Sequence, residues 1–247
     1  MNYSSICLLA KNENAYINEW LDWHLSIGFD HIYIYDNESD IPLKHTIYSE
    51  YLSYCTFNDW TSNDYQAHMQ HEAYAHFLKT YACQNEWTAF IDADEFVRIL
   101  NGDSINSFLK DYDSHNGLYI EWITYNANGH IYQDLSVPVR ERFTQTVPYT
   151  LFQIKGKSIV KPNNIRAMSA HFPIGRATGH NIVDSSHKEV YLSKPYTCPL
   201  DKIVIDHYFT KSYEEWISKV KKGSCCSYTE RKIHEFFILN PDLKGEI

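Results

Sequence analysis

Short apolar runs alternate with segments of helical spacing over the first third of the chain. The runs "SSICLLA" (4–10) and "HIYIY" (31–35) have the length of strands. Between them, one helix face is marked by apolar residues at i, i+3, i+4 and i+7 spacing, namely Ile17, Trp20, Leu21 and His24. The pattern therefore predicts that the chain opens as strand, helix, strand.

The same alternation continues to residue 92. It predicts a strand for "YLSYCTF" (51–57), a long helix for 63–82 and another strand for "WTAFID" (87–92). Strands that alternate with helices of this length form a parallel sheet covered on both faces, and ligands bind beyond the carboxyl ends of its strands. We therefore expect the polar segments "KNEN", "YDNES" and "DADE" to meet at one edge of the sheet.

Beyond residue 100 the pattern changes to strands joined by loops. Strand-like runs occupy 117–125, 149–155, 156–161 and 202–209, and helical spacing returns at 212–223 and 227–239. The 247 residues contain no repeat, low-complexity tract or linker, so one large α/β domain is predicted.

Composition excludes several classes of protein. Hydrophobic residues make up 44% of the chain, which is typical of a folded globular protein. The formal net charge of −9 argues against general binding of nucleic acid, which requires Lys and Arg to neutralise phosphates. No apolar run is long enough for a membrane span or a signal peptide, so we expect a cytoplasmic protein whose six cysteines are reduced.

The most informative segment is "WTAFIDADEF" (87–96), a predicted buried strand that ends in Asp92, Asp94 and Glu95. In an extended segment, Asp92 and Asp94 point to the same side. Two carboxylates ~4 Å apart repel by about 4 kcal/mol at an effective dielectric of ~20, so the empty site is expected to be strained. Mg²⁺ or Mn²⁺, completed by a diphosphate, would relieve this. The alternative is that Asp94 and Glu95 cap a following helix.

Other candidates lie at the ends of predicted strands. Asp36 could accept hydrogen bonds from a ribose or a base, or it could simply form an Asx-type turn in "DNES". His207 and His171 could each supply a nitrogen ligand, and Lys211 could neutralise a phosphate oxygen. With 13 histidines in the chain, a purely structural role is the alternative for each of them.

Several blocks of the sequence resemble glycosyltransferase family 92 and related family 2-like enzymes. They appear in the family's order over residues 4 to 223, as "LLAKNENAYINEWLDWHLSIGFDHIYIYDNES", "WTAFIDADEFV", "ERF", "KSIVKP", "HFP" and "DHYFTKSYEEWISKVKKG". The resemblance implies a GT-A fold, a Rossmann-like, mainly parallel sheet flanked by helices. It also implies a nucleotide-diphosphate-sugar donor, a hydroxyl acceptor and a divalent cation, usually Mn²⁺. The catalytic domain would span 1–223, with 224–247 as its C-terminal helical extension.

The resemblance also assigns roles to individual residues. Asp92 and Asp94 match the D-x-D pair, with Asp94 the more direct metal ligand, and His207 matches the histidine that completes the metal shell. The donor would lie against Lys11, Asn12, Asp36, Asp92, His171 and Lys211.

An inverting transferase needs a carboxylate that takes the proton of the acceptor hydroxyl. The candidates are Glu141, which we favour because it lies in the "ERF" block, Glu121 and Asp134. The alternative for Glu141 is a structural ion pair with Arg140 or Arg142.

The donor is expected to be a UDP-sugar, with UDP-galactose as one candidate, and the acceptor a glycan or a lipid-linked glycan of a bacterial surface polysaccharide. Peripheral contact with anionic lipids is possible through "KVKK" (219–222) and "ERK" (230–232). A sugar nucleotidyltransferase is a rival interpretation, although its Gly-rich basic loop is missing from "AKNENA". A carbohydrate-binding module would explain the many aromatic residues, but it would not need acidic residues gathered at one edge.

Overall fold

The computed structural model describes residues 1–61, 68–147, 155–174, 181–191, 197–223 and 231–247. The strands are β1 (Asn2–Ala10), β2 (His31–Asp36), β3 (Cys55–Asp59), β4 (Asn85–Phe90), β5 (Glu95–Ile99), β6 (Gly117–Tyr125), β7 (Thr146–Val147), β8 (Gly156–Val160), β9 (Ala167–Met168), β10 (Pro173–Ile174), β11 (Ile182–Val183) and β12 (Ile203–His207). The helices are α1 (Ile17–Ser26), α2 (Met69–Thr80), α3 (Ile105–Lys110), α4 (Val139–Arg142), α5 (Tyr213–Lys222) and α6 (Phe236–Leu239).

A mixed sheet forms the centre of the molecule, in the order β3-β2-β1-β4-β8-β6-β12-β5. The first four strands are parallel, which confirms the prediction made from the alternation of strands and helices. β8 runs antiparallel to both β4 and β6, β12 is parallel to β6, and β5 lies antiparallel to β12 at the far side. The short strands β7 and β11 pair with β6, and β9 and β10 form a separate pair.

Side chains of the parallel strands alternate between two hydrophobic clusters. On β1, Ile6 and Leu8 face a cluster that includes Trp20 of α1, whereas Cys7 faces a second cluster with Phe77 of α2. The sheet is therefore covered on both faces, as its period-two pattern requires. The predicted α/β architecture is confirmed.

The C-terminal segment packs on a third, smaller cluster. Trp216 of α5 and Phe236 of α6 are fully buried there, next to Leu243 and Ala127. The side chain of Asn240 accepts a hydrogen bond of 2.5 Å from the backbone N–H of Ala127. None of the helices in the described part of the chain combines the length and the apolar character that a bilayer crossing requires.

Several predicted elements differ from those observed. Residues 52–54 form a 3-10 turn, so the strand predicted for 51–57 is limited to β3. The helix predicted for 63–82 is observed, within the described residues, as α2 (Met69–Thr80). In the segment 231–239, a 3-10 turn and the four-residue α6 replace the end of a longer predicted helix. The strand predicted for 149–155 falls almost entirely outside the described residues.

Candidate active site

Three parallel strands end level with one another and define what we call the carboxyl edge of the sheet. Ala10 at the end of β1 pairs with Asp36 of β2, and Asp36 pairs in turn with Asp59 of β3. β4 ends beside them, since its last residue, Phe90, pairs with Cys7. The segments that follow β1, β2 and β4 therefore lie on one side of the sheet, as the sequence predicted.

The acidic run lies in the turn that joins β4 to β5. The backbone N–H of Glu95 donates to the carbonyl of Asp92 at 3.1 Å, and Glu95 then begins a strand that pairs with His207 of β12. The alternative that Asp94 and Glu95 cap a helix is therefore wrong. The turn instead brings the acidic run against the end of β12.

Asp92 is held by two buried side chains. Its Oδ2 accepts a hydrogen bond of 2.7 Å from Nζ of Lys157, and its Oδ1 accepts one of 2.8 Å from Nε2 of Gln70. Lys157 is 1% exposed and also donates to the carbonyl of Ala170. It lies on β8, where Gly156 permits close approach to β6, because a Cβ there would lie 2.1 Å from the carbonyl oxygen of Ile120.

Glu95 is fully buried, and its carboxylate is hydrogen-bonded to the backbone of the turn. Its Oε2 accepts a hydrogen bond of 2.8 Å from the backbone N–H of Asp92. Burial raises the pKa of Glu95 well above its usual range, and the charges of Asp92 and Asp94 add to this, although Lys157 opposes it. The run therefore does not carry three equivalent negative charges.

Asp94 lies between a lysine and a histidine. Its Oδ2 is 2.5 Å from Nζ of Lys219 and 3.8 Å from Nε2 of His207. Burial alone would raise the pKa of Asp94, but Lys219, His207 and Lys211 together hold it below its usual range. Each aspartate of the D-x-D pair therefore has its own ammonium partner. The expectation of a site strained by like charges is wrong for this reason.

His207 presents a neutral imidazole to Asp94. Burial lowers the pKa of His207 to about 3, although the Asp94 carboxylate opposes the shift. The ring is packed between Trp122 and Phe209, at centroid distances of 4.4 Å and 5.5 Å. A neutral histidine fixed by aromatic neighbours can offer a nitrogen lone pair to a metal ion.

The distance between the Asp94 and His207 side chains can be compared with the geometry of a divalent-cation site. Two ligand atoms, each about 2.1 Å from one ion, can lie at most about 4.2 Å apart, and Asp94 Oδ2 and His207 Nε2 meet this limit at 3.8 Å. Within the described ranges, no group of three or more His, Cys, Asp or Glu side chains is arranged to hold a metal. A cation held by Asp94 and His207 would therefore have to take its other ligands from a diphosphate and water, as Mg²⁺ commonly does.

Lys211 lies at the start of the segment that leads into α5. It is 7% exposed, and its Nζ lies 4.5 Å from the centre of the Tyr16 ring. Its backbone has φ 53°, a left-handed conformation that is uncommon for a residue other than Gly, Asn or Asp. Such backbone strain is found disproportionately at binding sites.

Asp36, Lys11 and Asn12 lie at the carboxyl edge. The Asp36 carboxylate accepts hydrogen bonds from the backbone N–H groups of Ser39 (3.2 Å) and Leu43 (2.7 Å), so it forms the turn that the sequence left as an alternative. Asn12, with φ 54°, exchanges hydrogen bonds with Asp40 of the same turn. Lys11 is partly buried beside them. The donor-binding roles of these three residues stay predictions.

His171, like His207, packs against the ring of Trp122. Its ring centroid is 5.4 Å from that of Trp122, and its Nδ1 is 3.1 Å from the carbonyl oxygen of Gly156. Because a carbonyl only accepts, Nδ1 carries the proton of the neutral ring. Burial and the charge of Lys157 lower the pKa of His171 to about 4.

The three candidate bases have different surroundings. Glu141 is exposed on α4, and Asp134 accepts hydrogen bonds from the backbone and hydroxyl of Ser136. Glu121 is 7% exposed, accepts a hydrogen bond from the backbone N–H of Cys198, and has a pKa raised by burial. The choice among these three carboxylates stays a prediction.

The two arginines on either side of Glu141 contact other residues. Arg142 is 3% exposed and donates to both carboxylate oxygens of Glu215, each at 3.0 Å. Glu215 also accepts a hydrogen bond from the Tyr16 hydroxyl and completes a capping box with Ser212 at the start of α5. The guanidinium of Arg140 lies 3.3 Å from the centre of the Trp23 ring. The sequence left open an ion pair between Glu141 and Arg140 or Arg142. Instead, Arg142 pairs with Glu215 and Arg140 stacks on Trp23.

Sequence reasoning missed Gln70, Lys157 and Lys219. The signal for Lys157 was a lysine inside the apolar strand "GKSIV", since a buried lysine requires a charged partner. Lys219 carried no such signal, because it lies in the polar run "KVKK". In that run Lys222 pairs with Glu13, as Lys219 does with Asp94. Both lysines are thus engaged by carboxylates, and contact of this run with anionic lipids stays a prediction.

Comparisons with known proteins agree with this architecture. A glycosyltransferase family 92 protein of Ricinus communis is 28% identical over 166 residues, which cover 66% of this chain and 29% of that protein. One from Oryza sativa subsp. japonica is 26% identical over 111 residues, which cover 43% of this chain and 18% of that protein. The chain thus spans less than a third of the length of these plant relatives, and the predicted bacterial origin stays a prediction.

Solved structures give only distant similarity. The crystal structure of S. aureus TarS 1–349 is 16% identical, with a TM-score of 0.41, and the match covers 65% of this chain and 47% of that chain. Glucosyl-3-phosphoglycerate synthase from Mycobacterium tuberculosis, in complex with Mn²⁺ and UDP, is 14% identical with a TM-score of 0.31, covering 50% of this chain and 44% of that chain. Neither similarity is close enough to bear on the site.

The family model gives the more extensive match. The model described as glycosyltransferase family 92 matches residues 3–239, which include every element from β1 to α6. The mixed α/β sheet with flanking helices agrees with the GT-A fold that the resemblance implied. The chain belongs to glycosyltransferase family 92.

Proposed function

We propose that this chain transfers a sugar from a nucleoside-diphosphate sugar to a hydroxyl group of a glycan or a lipid-linked glycan, with a divalent cation bound at Asp94 and His207. The observation that carries the proposal is the 3.8 Å separation of Asp94 Oδ2 and His207 Nε2. Two lysines, Lys211 and Lys219, lie close enough to this pair to lower the pKa of Asp94. The two ammonium groups would thus lie beside the proposed metal ligands.

The departing nucleoside diphosphate gains negative charge as the sugar leaves, and its stabilisation is the main task of such a site. Lys211 is suited to this task because it is 7% exposed and its ammonium lies near enough to Asp94 to help lower the pKa of that carboxylate. A cation held by Asp94 and His207 would supply further positive charge to the same phosphates. Mn²⁺ and Mg²⁺ both suit a carboxylate combined with phosphate oxygens.

The nucleoside end of the donor is proposed to lie along the loops after β1 and β2. Asn12 and Asp40 already join these loops through two hydrogen bonds, at 3.0 Å and 2.8 Å. The register of Ala10 with Asp36 places both loops at the carboxyl edge. We propose UDP as the nucleotide, with UDP-galactose among the candidate donors.

On the acceptor side, we propose that the reaction inverts the anomeric centre and that Glu141 takes the proton of the attacking hydroxyl. Two observations favour Glu141 over Glu121. Its neighbours Arg140 and Arg142 are engaged by Trp23 and Glu215, and its side chain faces solvent, where an acceptor can reach it. Glu121, by contrast, is almost fully buried.

The product released from the donor distinguishes the candidate functions. Purified protein would be incubated with a panel of nucleotide sugars and Mn²⁺, with and without EDTA, while nucleoside diphosphate and pyrophosphate are measured separately. The proposal expects nucleoside diphosphate, released only when the cation is present. Pyrophosphate would indicate a nucleotidyltransferase, and release of neither from any donor would favour a carbohydrate-binding module.

A further inference from the structure

Lys219 occupies the position nearest to Asp94. Its Nζ lies 2.5 Å from Asp94 Oδ2, 2.7 Å from the carbonyl oxygen of Phe209 and 4.2 Å from the centre of the Phe209 ring. Two oxygen acceptors and an aromatic face thus surround one ammonium group. This arrangement is complete without a metal ion or a substrate.

The same carboxylate oxygen serves both the lysine and the proposed cation site. A cation that joins Asp94 Oδ2 to His207 Nε2 must lie about 2.1 Å from Oδ2. An ammonium held 2.5 Å from that oxygen would then lie at most about 4.6 Å from the cation, and the two positive charges repel. Lys219 and a divalent cation therefore compete for Asp94.

The helix that carries Lys219 is firmly held at its start. Glu215 and Ser212 form a capping box there, and the buried Arg142 donates two hydrogen bonds to Glu215. Lys219 lies one turn from the other end of α5, and its side chain is 16% exposed. The flexible lysine side chain, rather than the helix, is thus the part that can move when a cation arrives.

We propose that Lys219 is the resident counter-ion of Asp94, which a divalent cation displaces, and that this competition sets the affinity of the site for the cation. The inference rests on the proposed function in requiring a cation at Asp94. It explains how the Asp94 carboxylate, 13% exposed, can be held in the turn before any cation binds. It also makes Lys219 a determinant of metal affinity, although it is not itself a metal ligand.

The test measures binding of Mn²⁺ alone, from the electron paramagnetic resonance signal of the free ion, with no nucleotide present. Wild type would be compared with Lys219→Met, with Lys221→Met as the matched control, because Lys221 is an exposed lysine of the same helix. We expect Lys219→Met to bind Mn²⁺ about tenfold more tightly or better, because the competing charge is gone. Lys221→Met should show a much smaller change, and Asp94→Asn should lose the site.

Thermal unfolding gives a second readout. Lys219→Met leaves the Asp94 carboxylate without its ammonium, so its melting temperature should be below that of wild type in EDTA and should recover with Mn²⁺. If Lys219 has only a structural role, the melting temperature would stay low with Mn²⁺ and the proposal would be overturned. Should Lys219→Met fail to fold, Lys219→Gln keeps a hydrogen-bond donor and makes the same comparison.

Equal or weaker Mn²⁺ binding by the folded Lys219 variant would overturn the inference. The proposed function is tested separately by release of nucleoside diphosphate from the wild type. If wild type releases it only with the cation while the variant binds Mn²⁺ no more tightly than wild type, only the competition is wrong. If wild type releases none and the variant still binds Mn²⁺ more tightly, only the transferase proposal fails.

Discussion

Nζ of Lys219 lies 2.5 Å from Oδ2 of Asp94, although the two residues are 125 positions apart in the chain. The contact makes the second aspartate of the D-x-D pair one half of a largely buried ion pair. The first aspartate, Asp92, is paired in the same way with Lys157. The turn is thus electrostatically balanced by the protein itself, and substitutions in it should affect folding as well as binding.

Asp94→Asn should destabilise the fold, because it leaves the buried ammonium of Lys219 without a counter-charge. We expect the free energy of unfolding, measured by urea denaturation in EDTA, to fall by about 1–3 kcal/mol. The control is the double variant Asp94→Asn/Lys219→Met, in which both charges are gone and part of the loss should be recovered. A single variant as stable as wild type would show that the pair contributes nothing to folding.

Replacement of Arg142 should be among the more damaging changes outside the site. Arg142→Met would leave Glu215 buried without its partner, and we expect a loss of about 3–5 kcal/mol in the free energy of unfolding. Arg142→Lys keeps the charge but cannot form both hydrogen bonds, so its loss should be smaller. A loss for Arg142→Met no larger than that for Arg142→Lys would contradict the importance of the charge.

Stability should fall as the pH is lowered below neutrality, partly because of His24. This residue is fully buried, its Nε2 accepts a hydrogen bond from the Val97 N–H, and burial lowers its pKa to about 3. The unfolded chain takes up a proton near pH 6.5 and the folded chain does not, so stability is lost as pH falls from about 6.5 towards 3.

The slope contributed by this one histidine approaches about 1.4 kcal/mol per pH unit. Urea denaturation between pH 7 and pH 5 would measure it, with His24→Gln as the comparison. The variant is expected to be less stable at pH 7 but to lose less stability on acidification. Parallel pH profiles for the two proteins would show that His24 becomes charged in the folded state.

The catalytic base can be found by comparing three variants under identical conditions, Glu141→Gln, Glu121→Gln and Asp134→Asn. We expect Glu141→Gln to lower the rate of sugar transfer by roughly 10²–10⁴ while donor affinity is unchanged. The other two variants act as controls for loss of a carboxylate at a different position. Normal turnover in Glu141→Gln would move the role to whichever control is impaired, or would favour a retaining reaction.

Periodicity predicted much of the fold. The run 117–125 is strand β6, and the predicted face of α1 is buried. The meeting of loops at the carboxyl edge followed from one fact, that parallel strands end on the same side of a sheet. Apolar spacing and the alternation of strands with helices depend on residues close together in the chain. Both can therefore be recognised in a single sequence.

The partners of the acidic residues could not be predicted in this way. Lys157 lies 65 positions from Asp92, and the pairing depends on β8 running antiparallel to β4 after a long excursion of the chain. The strand β5 was also missed, because its pairing with β12 is decided by residues more than 100 positions away. The charge balance of the site is thus a property of the tertiary structure.

The link between the cation and the nucleotide is tested most directly by isothermal titration calorimetry with UDP, in the presence of Mn²⁺ and again in EDTA. Wild type should bind UDP with Mn²⁺ and lose most of that affinity in EDTA, because the diphosphate completes the shell of a cation held by Asp94 and His207. Asp94→Asn, folded but without the cation site, should show weak binding in both conditions. Equal, metal-independent affinity in wild type and Asp94→Asn would contradict the proposal that the acidic turn holds a cation for the donor.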